Sequence, residues 1–323
     1  MKRFAFIALH AACWPVQQQC QVLSVSASGY YAWRKRRPAA AVEPTPLAWQ
    51  VAAQRVFTTH AGRYGQRRLR AQLRREGYAV GRQRLRGWLS ASGLRALCTR
   101  SSTRPPRTTQ ADPQAVAAAN KLATWPAATA PNQIWVGDIT YLALATGQWA
   151  YLACWRDAFS RRVVGWHVSE SLHTDLILTA FNRAVAICQP PPGLLVHADR
   201  GSQYTSEAFT TLLNRTQAIA SLSRPGNPYD NALAESGWST LKTELLPRGA
   251  YFTDLEEARL ELAEYLDHYY NTQRLHSALG YCTPLEVELH CTLSASTDTI
   301  LPRATLLPTS TPYATLSIAC SAA

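Results

Sequence analysis

Three acidic residues stand where a carboxylate is costly or conspicuous. Asp138 lies inside the apolar run Ile134-Trp135-Val136-Gly137-Asp138-Ile139-Thr140-Tyr141, and a charge in mid-strand is unfavourable unless paired or bound to a cation. Asp199 follows the short apolar run Leu194-Leu195-Val196-His197-Ala198 and opens the loop Asp199-Arg200-Gly201-Ser202-Gln203-Tyr204; strand ends of α/β sheets are where sites gather. Glu235 comes after the Pro- and Gly-containing segment 224–230, on a stretch where Ala234, Trp238, Leu241 and Leu245 recur as a helical core stripe. Asn231, Glu235, Ser239 and Lys242 form the neighbouring face, and Glu235 and Lys242, seven apart, stack on one side. If the three acids converge, mutual repulsion raises their pKa values and a divalent cation restores the ionised forms. Hard oxygen donors favour Mg²⁺ or Mn²⁺ over zinc. Two such ions suit phosphodiester displacement by activating the attacking oxygen and stabilising the leaving one.

The surrounding pattern must position these acids. Ile134–Leu144, Trp149–Asp157 and Arg162–Val168 are dense in aromatic and β-branched residues and predict three consecutive, antiparallel strands. Helices follow over Thr174–Cys188 and Ser206–Arg215, with short strands at Leu194–His197 and Ala218–Leu222. Ala232–Leu246 is a further helix. A capping box of Thr253 and Glu256 opens a long one ending near Tyr270. This order predicts a mixed α/β sheet flanked by helices.

The first third of the chain has a different character. Of the 33 Lys and Arg in a 323-residue chain of net charge +12, 20 fall in residues 1–112 against 3 Asp and Glu. The rest of the chain is net negative, so a polyanion is the natural partner of the first segment. A short helix is expected around Trp14–Leu23. The run Ser28–Pro38 joins aromatics to four consecutive cations, either a solvated charge run or a phosphate-contacting segment. Leu47–Phe57, Gln66–Glu76 and Arg82–Ala91 predict three short helices separated by glycines, the pattern of a helix-turn-helix module. Leu69 and Leu73 face inward on the second, and Leu85, Trp88 and Leu89 on the third. Arg67, Arg70 and Arg74 share one outer face, and Arg82, Arg84 and Arg86 decorate the third helix. Like charges at this spacing destabilise an isolated helix, and bound DNA relieves that repulsion.

Composition excludes several classes. With 47% hydrophobic residues the chain builds a core, and it contains no apolar run long enough to span a membrane. The apolar start Met1–Leu9 is cut short by His10 and Pro15 and does not predict secretion. Eight scattered cysteines without a C-x-x-C pair argue against a structural zinc site and a disulfide framework and suit reduced thiols in the cytoplasm.

The acids, separated by 60 and 35 residues, sit within "WVGDITY", "HADRGSQYTSEAF", "SRPGNPYDNALAESGWSTLKTEL" and "YYNTQRLHSALGYCTPLE". With "SASGYYAWRKR" near the start, these stretches resemble the OrfB-type transposases of the insertion-sequence-three family over roughly residues 1–290. The resemblance implies a ribonuclease-H-like core similar to that of retroviral integrases. It implies a catalytic and metal-binding triad of Asp138, Asp199 and Glu235, two Mg²⁺ or Mn²⁺ ions, and Lys242 contacting the transposon end. The implied reaction is metal-dependent DNA cleavage and strand transfer by a DDE-type polynucleotidyl transferase: water frees a 3′-hydroxyl, which attacks another phosphodiester. The implied partners are DNA, an upstream OrfA-type product or fusion, and further copies of the chain on DNA, in a bacterial cytoplasm close to the nucleoid. The competing readings are a catalytically silent DNA-binding relic or regulator of the element, and a nuclease acting on RNA–DNA hybrids.

The expected organisation is a basic segment over 1–46, a helix-turn-helix domain over 47–96, a linker over 97–130 (with a short helix near Gln114–Leu122), an integrase-like core over 131–290 and a loosely ordered tail over 291–323. Trp135, Trp149, Trp155 and Trp166 are expected in the core, and Asp157 at a strand end or paired with Arg161 or Arg162. Asp230 is expected to cap the Glu235 helix, and His197 to be packed. Asn231 is expected to position DNA or Glu235. Tyr269, Tyr270, His276 and Leu279 are expected to pack beyond the last helix.

Overall fold

The computed structural model describes residues 2–36, 46–97, 120–224, 231–246 and 251–297. The chain divides into two compact units, Met1–Arg55 and Val56–Ala323. In the first, α1 (Lys2–Leu9), α2 (Val16–Val22) and α3 (Ala27–Arg36) enclose Ile7, Cys20 and Tyr30, with Phe4, Val16, Leu23 and Trp33 packed around them. The basic segment thus carries a small core of its own. The helix expected from Trp14 starts at Val16, because Pro15 occupies its N-cap. α1 has no counterpart in the sequence-based expectation. The helix α4 (Ala48–Thr59) crosses the boundary between the units.

The second unit is built on a five-stranded sheet. Its strands are β1 (Ile134–Ala143), β2 (Trp149–Asp157), β3 (Val163–Ser169), β4 (Leu195–Ala198) and β5 (Ile219–Leu222), in the order β3-β2-β1-β4-β5. β1, β2 and β3 run antiparallel, while β4 pairs parallel to β1 and β5 pairs parallel to β4. This is the ribonuclease-H-like arrangement, and the expected strands are present within a residue or two.

Alternation along the strands sorts the core into two faces. Trp135, Trp155, Val164 and Val196 face α7 (Asp175–Cys188) and α8 (Glu207–Arg215), where Phe181 and Phe209 complete an aromatic cluster. Ile134, Val136 and Leu195 face the other way, toward Ala234 of α9 (Ala232–Glu244). Leu142, Leu152 and Cys154 continue that second face beneath Trp238 and Leu241 of α9 and Leu262 of α10 (Leu255–Ala263).

Several expectations are corrected. The α10 box is shifted by one residue: Asp254 is the N-cap and accepts from the Glu257 amide, while the Glu257 carboxylate accepts from the Thr253 amide. The long helix continues as a π-helical segment over Glu264–Tyr270, whose wider turn buries Tyr265, Leu266, Tyr269 and Tyr270 together. Tyr269 and Tyr270 therefore lie in a helix, and α11 (Pro284–Thr297) follows them. α11 runs on to Thr297, so the first residues of the segment expected to be a loosely ordered tail are helical, and residues 298–323 lie outside the described residues. Trp149 is 53% exposed because it opens β2 at the sheet's end, whereas Trp135 and Trp155 are fully buried. Leu122 lies in a turn packed against the sheet, and the rest of the suggested helix at Gln114–Leu122 lies almost wholly outside the described residues. Asp230 is also outside them.

Candidate active site

Strand order brings the two aspartates near each other. Val136 of β1 pairs with His197 of β4, the last pair of the parallel ladder; Asp138 lies two residues further along β1, and Asp199 opens the loop after β4. The Asp199 charge is near enough to raise Asp138. On the opposite face Gly137 leaves room for the Trp155 ring, since a Cβ there would lie 2.3 Å from it. Asp138 Oδ1 accepts from the Ile139 amide (2.9 Å) and Oδ2 from the Trp238 indole (2.9 Å). Asp199 Oδ1 accepts from the Gly201 amide (2.9 Å), which shapes the loop after β4.

The electrostatics follow. Burial, then the neighbouring Asp199, pushes the half-buried Asp138 carboxyl up to about 7. The Ile139 and Trp238 bonds pull it down without cancelling that push, and Glu235 adds a smaller upward one. Glu235 is exposed on the first turn of α9, with Ser239 and Lys242 exposed on the same side. Although Lys242 reaches solvent, partial desolvation of its ammonium against α9 and its surroundings lowers it, and the Asp138 charge opposes the shift. Asp138 thus feels both other acids, Asp199 more strongly. Among the described residues, no three His, Cys, Asp or Glu side chains close into a metal-ligand group. Asn231 sits at the N-cap of α9, buried rather than on the exposed face.

Trp238 was legible only as a core position; its indole also orients Asp138. Arg156 escaped notice altogether. It is buried under α9, donates to the Leu233 carbonyl (3.2 Å) and lies over the Tyr270 ring. A Cβ at Gly237 would lie 1.8 Å from its guanidinium, so a side chain there would displace Arg156. A cation inside the β2 run Cys154-Trp155-Arg156-Asp157 was the available signal. His197 is packed as expected, within hydrogen-bond distance of Ser221 and Ser223. Asp157 ends β2 and accepts from the Asn132, Phe159 and Ser160 amides, while Arg162 pairs instead with Glu288.

The helical module packs within this same unit. α5 (Gln66–Arg75) and α6 (Arg82–Ala91) enclose Leu69, Leu73 and Leu85. Between them Gly77 (φ 87°) and the bond from the Tyr78 amide to the Leu73 carbonyl stop α5. Arg67, Arg70, Arg74, Arg82, Arg84 and Arg86 are all exposed. Arg68 takes the opposite role: it pairs at 2.8 Å with Glu244, the last residue of α9. Glu244 is buried and also accepts from Arg274 (2.8 and 2.9 Å) and the Tyr265 hydroxyl (2.9 Å), while its carbonyl accepts from Arg63. Burial alone would raise this carboxyl; the bonds and charges of Arg274 and Arg68 outweigh burial and hold it low. An acid at a helix C-terminus opposes the helix dipole, and the guanidiniums of Arg274 and Arg68 offset that cost.

Integrase core domain models match residues 128–228 and 217–284, and an HTH-like domain model matches residues 49–102. The chain is 39% identical over 233 residues to the transposase for insertion sequence element IS904 of Lactococcus lactis, covering 72% of this chain and 90% of that one. It is 38% identical to the IS600 uncharacterized 31 kDa protein of Shigella sonnei (82% and 95% covered). It is 34% identical to transposase InsF for insertion sequence IS3A of Escherichia coli K12 (88% and 98% covered). Among solved structures it is similar to the HTLV-2 integrase catalytic core domain in complex with magnesium, at 20% identity and a TM-score of 0.38 over 50% of this chain and 98% of that one. With an HTH-like segment preceding an integrase core, and relatives alike over most of its length, this chain belongs to the insertion-sequence-three family of transposases.

Proposed function

We propose that this chain is a DDE-type polynucleotidyl transferase that cuts the ends of its element and joins them to other DNA. The observation that supports the proposal is the proximity of Asp138, on β1, to Asp199, just past the end of the adjacent β4: burial and the Asp199 charge lift Asp138 to about 7. The donors of this pair are hard oxygens. Mg²⁺ or Mn²⁺ fits them, with Asp138, Asp199 and Glu235 as the residues that would hold two ions. When bound, those ions supply charge for activating an attacking oxygen and stabilising a leaving one.

The chain's own groups do the positioning. The Trp238 indole and the Ile139 amide orient Asp138, and α9 presents Glu235 and Lys242 on one exposed side. Lys242 and the Arg67, Arg70, Arg74, Arg82, Arg84 and Arg86 faces hold phosphates, and Asn231 supports the start of α9. In cleavage a water oxygen bonds to phosphorus as the P–O3′ bond breaks, leaving a 3′-hydroxyl. In joining, that hydroxyl attacks a second phosphodiester and the displaced 3′-oxygen takes up a proton. An upstream OrfA-type partner or fusion, self-association on DNA and a nucleoid-associated cytoplasmic location belong to the same reading. Among the described residues no helix is long and apolar enough to cross a membrane.

Purified protein is expected to nick or join element-end duplex only with Mg²⁺ or Mn²⁺. Glu235→Gln is expected to abolish this while DNA binding persists; undiminished activity in Glu235→Gln overturns the assignment.

A further inference from the structure

α5 places Arg67, Arg70, Ala71 and Arg74 along one face. Opposite stands the turn Gly280–Tyr281, from the other end of the same compact unit. Both its residues take left-handed backbone, at φ 64° and 66°. Between them lies a groove of about 420 Å³, whose lining includes Arg67, Arg70, Arg74, Arg75 and Arg82 and no acidic residue.

Two of these arginines are fixed in place. Arg70 Nε donates to the Val80 carbonyl at 3.0 Å. Arg75 grips both oxygens of Glu286 (2.9 and 2.8 Å) and the Tyr281 carbonyl (2.8 Å), and so pins the turn to the helix. Arg67, Arg74 and Arg82 form no ion pair among the described residues. The row from Arg67 to Arg74 spans seven residues, about 10 Å at 1.5 Å each. One DNA strand carries a phosphate about every 3.4 Å of axis, so the row matches about three phosphates. A single small anion would leave most of that charge uncompensated.

We propose that this groove grips the phosphate backbone of duplex DNA between α5 and the Gly280–Tyr281 turn, so that one duplex is held by the helical module and the integrase core together. The proposal rests on the DNA-processing function above and adds the turn as the second wall of the site.

The test is fluorescence anisotropy of the full-length chain with a labelled duplex across a salt series. Ala71→Glu puts a carboxylate on the groove floor and is expected to weaken binding at least about tenfold and to make the log–log salt slope shallower by about one to two. Gly280→Asp does the same from the opposite wall, with Gly280→Asn as the control for backbone strain; the aspartate is expected to bind more weakly than the asparagine. Circular dichroism checks folding, and if Ala71→Glu does not fold, Arg67→Ala/Arg74→Ala carries the same expectation. Wild-type affinity and slope in the floor variant overturn the groove. Equal binding by Gly280→Asp and Gly280→Asn overturns the shared wall. In either case metal-dependent cleavage by the wild type leaves the functional reading standing. A wild type that binds no duplex overturns both.

Discussion

Asp138 and Glu244 are two acids in contact with one helix, and their surroundings drive them in opposite directions. Asp138 meets α9 through Trp238 and is lifted to about 7 by burial and by Asp199. Glu244 ends α9 and is more thoroughly buried, yet Arg274 and Arg68 hold it low. Burial therefore does not by itself decide an acid's character; its neighbours do. An acid matched by guanidiniums and a tyrosine hydroxyl is part of the scaffold. An acid raised by a neighbouring acid suits the proposed cation-binding role.

The largest effect that could break this contrast is on catalysis. Asp138→Asn is expected to reduce strand transfer at least ~10³-fold, about 4 kcal/mol of transition-state stabilisation, with thermal stability unchanged or raised because a like-charge contact disappears. A marked fall in melting temperature would make Asp138 structural after all. Glu244→Gln is expected to do the reverse. It leaves Arg68 and Arg274 facing a neutral group, and breaking a buried pair costs about 3–5 kcal/mol, measured by urea unfolding. Near-wild-type stability would show that the cluster is not a structural tie.

pH sharpens the comparison on the Glu244 side. Burial, then nearby arginines, lowers His60 to about 4 and His276 to about 2. His60 stacks on Tyr64 and His276 lies against Arg274. Both folded-state values are depressed, so the unfolded chain binds these protons first and stability falls as pH drops below about 6.5. By pH 5 the loss is about 2 kcal/mol per histidine. His276→Gln is expected to flatten the curve of melting temperature against pH between 7 and 5; an unchanged curve refutes the assignment. Glu244, also depressed, adds its own loss only below about pH 4.

The smallest expected effect is that of Trp238→Phe. It removes one hydrogen bond, worth about 1 kcal/mol, and with it a contact that lowers the Asp138 pKa. In the metal-free protein the Asp138 carboxyl is expected to titrate at higher pH, followed by carboxyl NMR, with little change in stability. An unchanged titration would leave the indole no orienting role.

The candidate acids and the inward face of α9 were legible because local pattern encodes them. Asp138 interrupts an apolar strand and Asp199 follows another, and the spacing of Ala234, Trp238 and Leu241 names the face of α9 that turns inward. The Glu244 cluster was not legible, since its members Arg68, Glu244, Tyr265 and Arg274 lie far apart along the chain and each looks like an ordinary surface residue. Nor was the core of residues 2–33, which depends on three short helices packing around Ile7, Cys20 and Tyr30 rather than on a strong period in any one of them.

By itself the sequence determined the strands, most helices, the acids with a claim to chemistry and the family, because side-chain periodicity and motif spacing are local properties. Only the tertiary structure decided that Asp138 lies near enough to Asp199 to be raised by it, that Arg156 supports α9 and that the helical module is tied to Glu244. Each of these depends on strand order or on a long-range side-chain contact, and no local pattern carries that information.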